Sequence, residues 1–121
     1  MGVEDPAVVN PSGIPDRILV AIGGHATHPE DIEGTSAEQK AIAANTADAL
    51  LPLAMCNNEL VITHGNGPVV GKILLRQALT RDRIAPMPLD ICVAHSQGGI
   101  AYLLMQALRR EAGTHITADD A

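Results

Sequence analysis

The chain has 121 residues, 46% of them hydrophobic, with one Tyr and no Phe or Trp. This length suits a single domain with an aliphatic core, of the kind found between parallel strands and their covering helices. Eight basic and fourteen acidic side chains give a formal net charge of −6. That balance argues against nucleic acid or an anionic membrane as the main partner.

Residues 1–16 are read as a flexible lead-in, because Pro6, Pro11 and Pro15 interrupt regular structure. They lack the basic and apolar regions of a signal peptide, and no apolar run in the chain reaches the roughly 18 residues of a membrane span. We therefore expect a cytoplasmic protein with one domain over residues 17–121. Cys56 and Cys92 form no CxxC pair, and we expect both thiols to be reduced.

The first predicted element is a strand. Residues 17–22 are apolar after Arg17 and are followed by two glycines, a pattern typical of a strand buried on both faces. Residues 25–34 are polar and read as a loop. Thr35 and Glu38 then match a capping box, which predicts a helix to about Met55, with Pro52 kinking or shortening its last turn.

A second strand and two more helices are predicted next. Residues 59–63 read as the strand, and Pro68 suits the first turn of a helix that runs to about Thr80. A proline-rich loop at residues 86–88 precedes a third helix over residues 89–111. We expect Gly113 to end that helix, and residues 114–117 are a candidate for another strand.

A glycine-rich turn follows each of the first two strands: Gly23-Gly24 after the first, and residues 64–68 after the second. If the strands are parallel, both turns lie at one end of the sheet. Glycines let backbone N–H groups approach an anion, and the helix beginning near Pro68 adds the positive end of its dipole. The pattern predicts a site for an oxyanion or a phosphoryl group; the alternative is two tight turns without a ligand.

Other polar residues give weaker signals. His25, His28 and His64 have no Cys or carboxylate clearly placed to complete a metal site, so no metal is predicted. In the third helix, structural roles are favoured over catalytic ones: packing or interface contact for His95, helix capping for Asp90, and no nucleophilic role for Ser96, which lacks an obvious base.

Four segments resemble, in order, the signatures of carbamate kinases: residues 20–26 (VAIGGHA), 34–39 (GTSAEQ), 60–68 (LVITHGNGP) and 87–102, which include MPLDIC and SQG. The resemblance runs from Arg17 to about Arg110. Ala21 is similar to carbamate kinases, whereas many relatives that phosphorylate amino-acid carboxylates carry Lys at that position.

The resemblance implies an α/β protein with a three-layer αβα sandwich around a parallel sheet, a truncated amino-acid-kinase-like fold. It implies phosphoryl transfer between ATP or ADP and carbamate or carbamoyl phosphate, and ATP or ADP with Mg²⁺ is implied by the family only. The residues that it assigns to substrate or phosphate binding are Gly23, Gly24, His25, His64, Gly65, Asn66 and Gly67.

Two departures from the family bear on activity. His25 stands where carbamate kinases usually have Asn, and the sequence lacks the family's nucleotide-binding half. The only lysines, Lys40 and Lys72, lie on predicted helices outside the two glycine turns. No nucleotide site is visible, so we do not expect this chain to be active alone.

These features leave two alternative functions for the chain. One is a carbamate kinase component that needs a partner for the nucleotide half, and the other is a non-catalytic subunit that dimerises or binds a small anion. Gly98 and Gly99 within a predicted helix favour close helix–helix contact. The resemblance places the corresponding helix at a subunit interface, so we expect a homodimer through helix 89–111, and mainly residues 91–105, or a second subunit.

Overall fold

A computed structural model describes residue 13 and residues 15–29, 31–56 and 59–120; for residue 25 and residues 114–120 it describes the backbone alone. In chain order, the elements are β1 (Arg17–Ile22), α1 (Gly24–Thr27), α2 (Ser36–Ala54), β2 (Glu59–His64), α3 (Gly67–Thr80) and α4 (Leu89–Asp120). Most of the predicted lead-in lies outside the described residues. The single domain over residues 17–121 stays a prediction.

The sheet consists of β1 and β2, which pair in parallel from Arg17 opposite Glu59 to Ile22 opposite His64. This confirms the parallel arrangement predicted from the sequence. The Arg17 and Glu59 side chains form an ion pair across the register, with 2.9 Å between Nε and Oε2, but both are exposed to water. An ion pair of that kind contributes little to stability, so the sheet depends on its packed face.

One face of the sheet packs against helices. The core cluster of Ala47, Leu50 and Leu108 joins α2 to α4, and Val20, Ile22 and Ile62 of the strands pack against it. On the opposite face Leu19 is 68% exposed and Val61 is 55% exposed. An α/β fold with a small parallel sheet is therefore confirmed, but the expectation that β1 is buried on both faces is wrong for the described residues. The helices α2 and α4 cover only one side.

The capping box at the start of α2 is present as predicted. Glu38 N–H donates to the Thr35 hydroxyl at 3.2 Å, and Thr35 N–H donates back to Glu38 Oε1 at 3.1 Å. The hydrogen bond from the Thr35 backbone, and next that from its hydroxyl, hold the pKa of Glu38 below its usual value. The helix ends at Ala54 with Pro52 inside its last turn, close to the predicted end.

Two predicted boundaries are wrong. Residues 24–27 form a helical turn, not a loop, because Ala26 N–H donates to Gly23 O and His28 N–H to Gly24 O. At the other end, α4 continues through Gly113 to Asp120, so residues 114–117 are helical and form no strand. A glycine ends a helix when it takes a positive φ, and among the described glycines only Gly13 and Gly34 do so.

Cys92 is buried and Cys56 is half-buried. No helix in the described part of the chain combines the length and the apolar character that a membrane span requires.

Candidate functional site

The two glycine turns touch each other at the carboxyl edge of the sheet. Gly65 N–H donates to Ile22 O at 3.1 Å, which joins the end of β1 to the turn after β2. A Cβ added to Gly65 would lie 3.4 Å from Gly24 N, and one added to Gly24 would lie 3.3 Å from Pro68 Cδ. The predicted meeting of the two turns is therefore observed, and a side chain at Gly24 would crowd Pro68, whereas a Cβ at Gly65 would only contact Gly24.

Backbone donors are available at these turns. Asn66 is the N-cap of α3, and its carbonyl accepts from Val70 N–H at 2.8 Å. Within the described residues, the N–H groups of Gly24 and Gly67 have no backbone acceptor. Unpaired N–H groups at a helix start, together with the helix dipole, favour an anion. The arrangement can hold an oxyanion, although the binding role of each residue stays a prediction.

A side-chain contact holds the second turn to α4. Asn66 Nδ2 donates to Ser96 Oγ at 2.9 Å, and Ser96 Oγ donates to Val93 O at 2.6 Å. Ser96 is 1% exposed. The sequence predicts no role as a nucleophile for Ser96, and in the structure its hydroxyl accepts the hydrogen bond that orients Asn66. Its position within the SQG segment is the only sequence signal that pointed to it.

The histidines considered as metal ligands lie on separate elements: His28 follows α1, and His64 ends β2. His64 ends β2, and its Nδ1 lies 3.2 Å from Gly65 O. His25 belongs to α1, and its side chain is outside the described atoms. No group of three or more His, Cys, Asp or Glu side chains in the described residues is placed to hold a metal ion.

His28 and Lys72 lie close together beside the turns, a proximity that the sequence did not predict. His28 is 2% exposed, and Lys72 Nζ donates to Glu33 O. Both side chains line an open groove of about 490 Å³ together with Pro29, Ile32, Gly67 and Pro68. Lys72 lies on a helix outside the glycine turns, as predicted, and it shares this groove with Gly67 and Pro68 at the start of α3. Lys40 lies on α2 and lines a different pocket.

The remaining candidates of the third predicted helix lie on the surface. His95 and Asp90 are exposed on α4, with Asp90 in its first turn. Tyr102 and Met105 are also exposed, at 60% and 53%. His95 is therefore not packed against other described residues. Its interface role stays a prediction.

Comparisons with known proteins find similarity to carbamate kinases. No protein-family model matches the chain. The chain is 39% identical over 100 residues to a carbamate kinase of Pyrococcus horikoshii, covering 81% of this chain and 32% of that protein. It is 42% identical over 93 residues to a carbamate kinase of Oenococcus oeni, covering 76% of this chain and 29% of that protein.

Comparison with solved structures also finds carbamate kinases. The carbamate kinase from Giardia lamblia bound to AMP-PNP superimposes with a TM-score of 0.78 at 29% identity, covering 83% of this chain and 35% of that one. The chain thus spans about a third of the length of the relatives it matches.

Proposed function

Because this chain is a homologue of carbamate kinases over about four fifths of its own length, we propose that it is a carbamate kinase-like component of phosphoryl transfer. The reaction passes a phosphoryl group between ATP or ADP and carbamate or carbamoyl phosphate. The chain spans about a third of its relatives, so this activity is proposed for an assembly that also contains a nucleotide-binding part.

The observation that supports the proposal is the contact between the two glycine turns. The turns approach within van der Waals distance at Gly24, Gly65 and Pro68, and the N–H groups of Gly24 and Gly67 have no described backbone acceptor. Phosphoryl transfer needs little covalent chemistry from the protein, because positioning and charge stabilisation carry most of the rate. Rigid backbone donors suit that task.

The residues proposed to bind the phosphoryl or carbamate end are those of the two turns: Gly23, Gly24, His25, His64, Gly65, Asn66 and Gly67. Asn66 is oriented by Ser96, and the backbone of His25 lies in α1, directly after the first turn. We assign neither a residue nor a reaction step to Mg²⁺. The nucleotide site likewise has no assigned residue here.

The test is ATP formation from ADP and carbamoyl phosphate, with the chain alone and with candidate nucleotide-half partners added. We expect ATP only with a partner, and its absence in every combination would refute the kinase role. Gly24→Ala should weaken carbamoyl phosphate binding, since its Cβ would press on Pro68 at 3.3 Å. Gly71→Ala is the matched control, because a Cβ there meets nothing within 4 Å.

The second candidate function is a non-catalytic subunit that dimerises or binds a small anion. His25 in place of the usual Asn and the exposed side chains of Tyr102 and Met105 favour it. Calorimetric titration with carbamoyl phosphate, phosphate and nucleotides separates the two functions: anion binding without nucleotide binding supports the subunit. In both cases we propose a homodimer through α4 or a second subunit, and a cytoplasmic location.

A further inference from the structure

The side chain of His28 contains a buried atom without a partner. The ring is 2% exposed, and its Nδ1 lies 3.1 Å from the carbonyl of Pro29. Its Nε2 is buried and makes no hydrogen bond within the described residues. Buried polar atoms are nearly always paired, so an orphaned one indicates that a partner is absent.

The Lys72 ammonium lies close to this atom. A Cβ added to Gly34 would lie 2.7 Å from His28 Nε2 and closer still to Lys72 Nζ, so the two nitrogens are neighbours. Gly34 also has a φ of +87°, a conformation that favours glycine. The absence of a side chain at Gly34 is what allows the imidazole and the ammonium to lie side by side.

The Lys72 ammonium keeps donors to spare. It donates to Glu33 O, and an ammonium carries three N–H groups. Lys72 shares the groove of about 490 Å³ with His28 and with Gly67, the first residue of the 14-residue helix α3. The groove therefore combines a cation, the positive end of a helix dipole and an unpaired buried nitrogen.

We propose that this groove, the His28–Lys72 groove, binds a small phosphate-type oxyanion. Lys72 supplies the charge, Gly67 N–H donates one hydrogen bond, and His28 Nε2 accepts one from a protonated oxygen of the anion. The Nδ1 contact with Pro29 O requires a proton on Nδ1, which leaves Nε2 of the neutral ring as an acceptor. Asp31 and Glu33 oppose the anion, but both are exposed and screened.

This proposal extends the proposed function, because it places the charged Lys72 side chain beside the glycine turns. It rests on that function only through Gly67, a residue that both sites use. The probe is inorganic phosphate, titrated into the 121-residue chain and followed by calorimetry and by amide chemical shifts. Lys72→Gln is expected to weaken binding about tenfold, the effect of losing one charge-assisted hydrogen bond. Lys40→Gln, which removes the other lysine at a remote site, should leave binding unchanged.

Two substitutions with side chains of different length test the role of His28. His28→Asn keeps an amide near Nδ1 and loses the Nε2 position, whereas His28→Gln places an amide near Nε2. We expect weaker phosphate binding by His28→Asn and more nearly normal binding by His28→Gln. Thermal melts check folding, and if His28→Asn is unfolded, Lys72→Gln still decides.

The outcomes separate this proposal from the kinase proposal. Phosphate binding that Lys72→Gln and His28→Asn leave unchanged, or no phosphate binding at all, overturns the His28–Lys72 groove. If carbamoyl phosphate still binds in those variants but not in Gly24→Ala, the groove proposal fails and the kinase proposal stands. If phosphate binds through Lys72 but carbamoyl phosphate does not bind, the groove stands and the kinase proposal fails.

Discussion

Asn66 and Ser96 are joined by a hydrogen bond of 2.9 Å between Nδ2 and Oγ, although they lie 30 positions apart in the chain. The bond connects the turn after β2 to the buried side of α4. Because Ser96 Oγ also donates to Val93 O, its lone pairs face the Asn66 amide. The carbonyl of Asn66 in turn caps α3, so α4 helps to set the direction of the α3 N–H groups.

Ser96→Ala should loosen the second glycine turn. We expect the free energy of unfolding to fall by about 1 kcal/mol, the usual contribution of one hydrogen bond, and carbamoyl phosphate binding to weaken as well. Urea unfolding and calorimetric titration measure the two effects. Ser36→Ala, at an exposed position at the start of α2, is the control. Equal behaviour of the two variants would show that the Asn66–Ser96 bond does not position the turn.

Gly34→Ala should destabilise the chain more than Gly13→Ala. Both glycines have positive φ, +87° and +84°, and an alanine in that conformation costs about 1–2 kcal/mol. At Gly13 an added Cβ meets nothing within 4 Å, whereas at Gly34 it would lie 2.7 Å from His28 Nε2. We expect at least about 1 kcal/mol of additional loss at Gly34 from overpacking. Urea unfolding gives the comparison, and equal losses would contradict the crowding at His28 and Lys72.

The capping box should make stability depend on pH. Hydrogen bonds from Thr35 hold the pKa of Glu38 below its usual 4.5, so the carboxylate stabilises the fold above the pKa of the unfolded chain. That contribution is lost as the pH falls through the lower pKa of the folded state. Glu38→Gln keeps a capping amide but cannot ionise.

The free energy of unfolding, measured from about pH 7 down to about pH 3, should therefore converge between the unsubstituted chain and Glu38→Gln at the acid end. Asp82→Asn, in the exposed turn after α3, controls for the loss of one carboxylate. A difference that stays constant over the whole range would contradict the prediction.

Met105→Glu should disrupt the proposed dimer. Tyr102 and Met105 are exposed on α4, and Cβ atoms added to Gly98 and Gly99 would meet nothing within 4 Å, which leaves room for a second helix. A buried, unpaired carboxylate is costly, so we expect the dimer dissociation constant to rise about tenfold or more. Light scattering measures it. Leu79→Glu on α3, where Leu79 is 72% exposed, is the control, and a clean monomer at micromolar concentration before any substitution would refute the dimer.

Local features were the most predictable part of this molecule. The Thr35–Glu38 capping box joins residues three positions apart, and the paired strands follow from two short apolar runs with a helix between them. The meeting of the glycine turns follows in turn, since adjacent parallel strands end at the same edge. Gly113 was misread because a glycine ends a helix only through its φ, which composition does not reveal.

By itself, then, the sequence determined the types of β1, α2, β2 and α3, the parallel strand pair, the capping box and the pairing of two glycine turns, because each depends on neighbouring residues or on strand direction. Only the tertiary structure decided that Ser96 orients Asn66, that Lys72 reaches Glu33 across 39 positions, and that His28 is buried with an unpaired Nε2. It also decided that one face of the sheet is covered and the other exposed. The physical reason is that these contacts depend on which elements pack side by side, and residue spacing along the chain does not specify that.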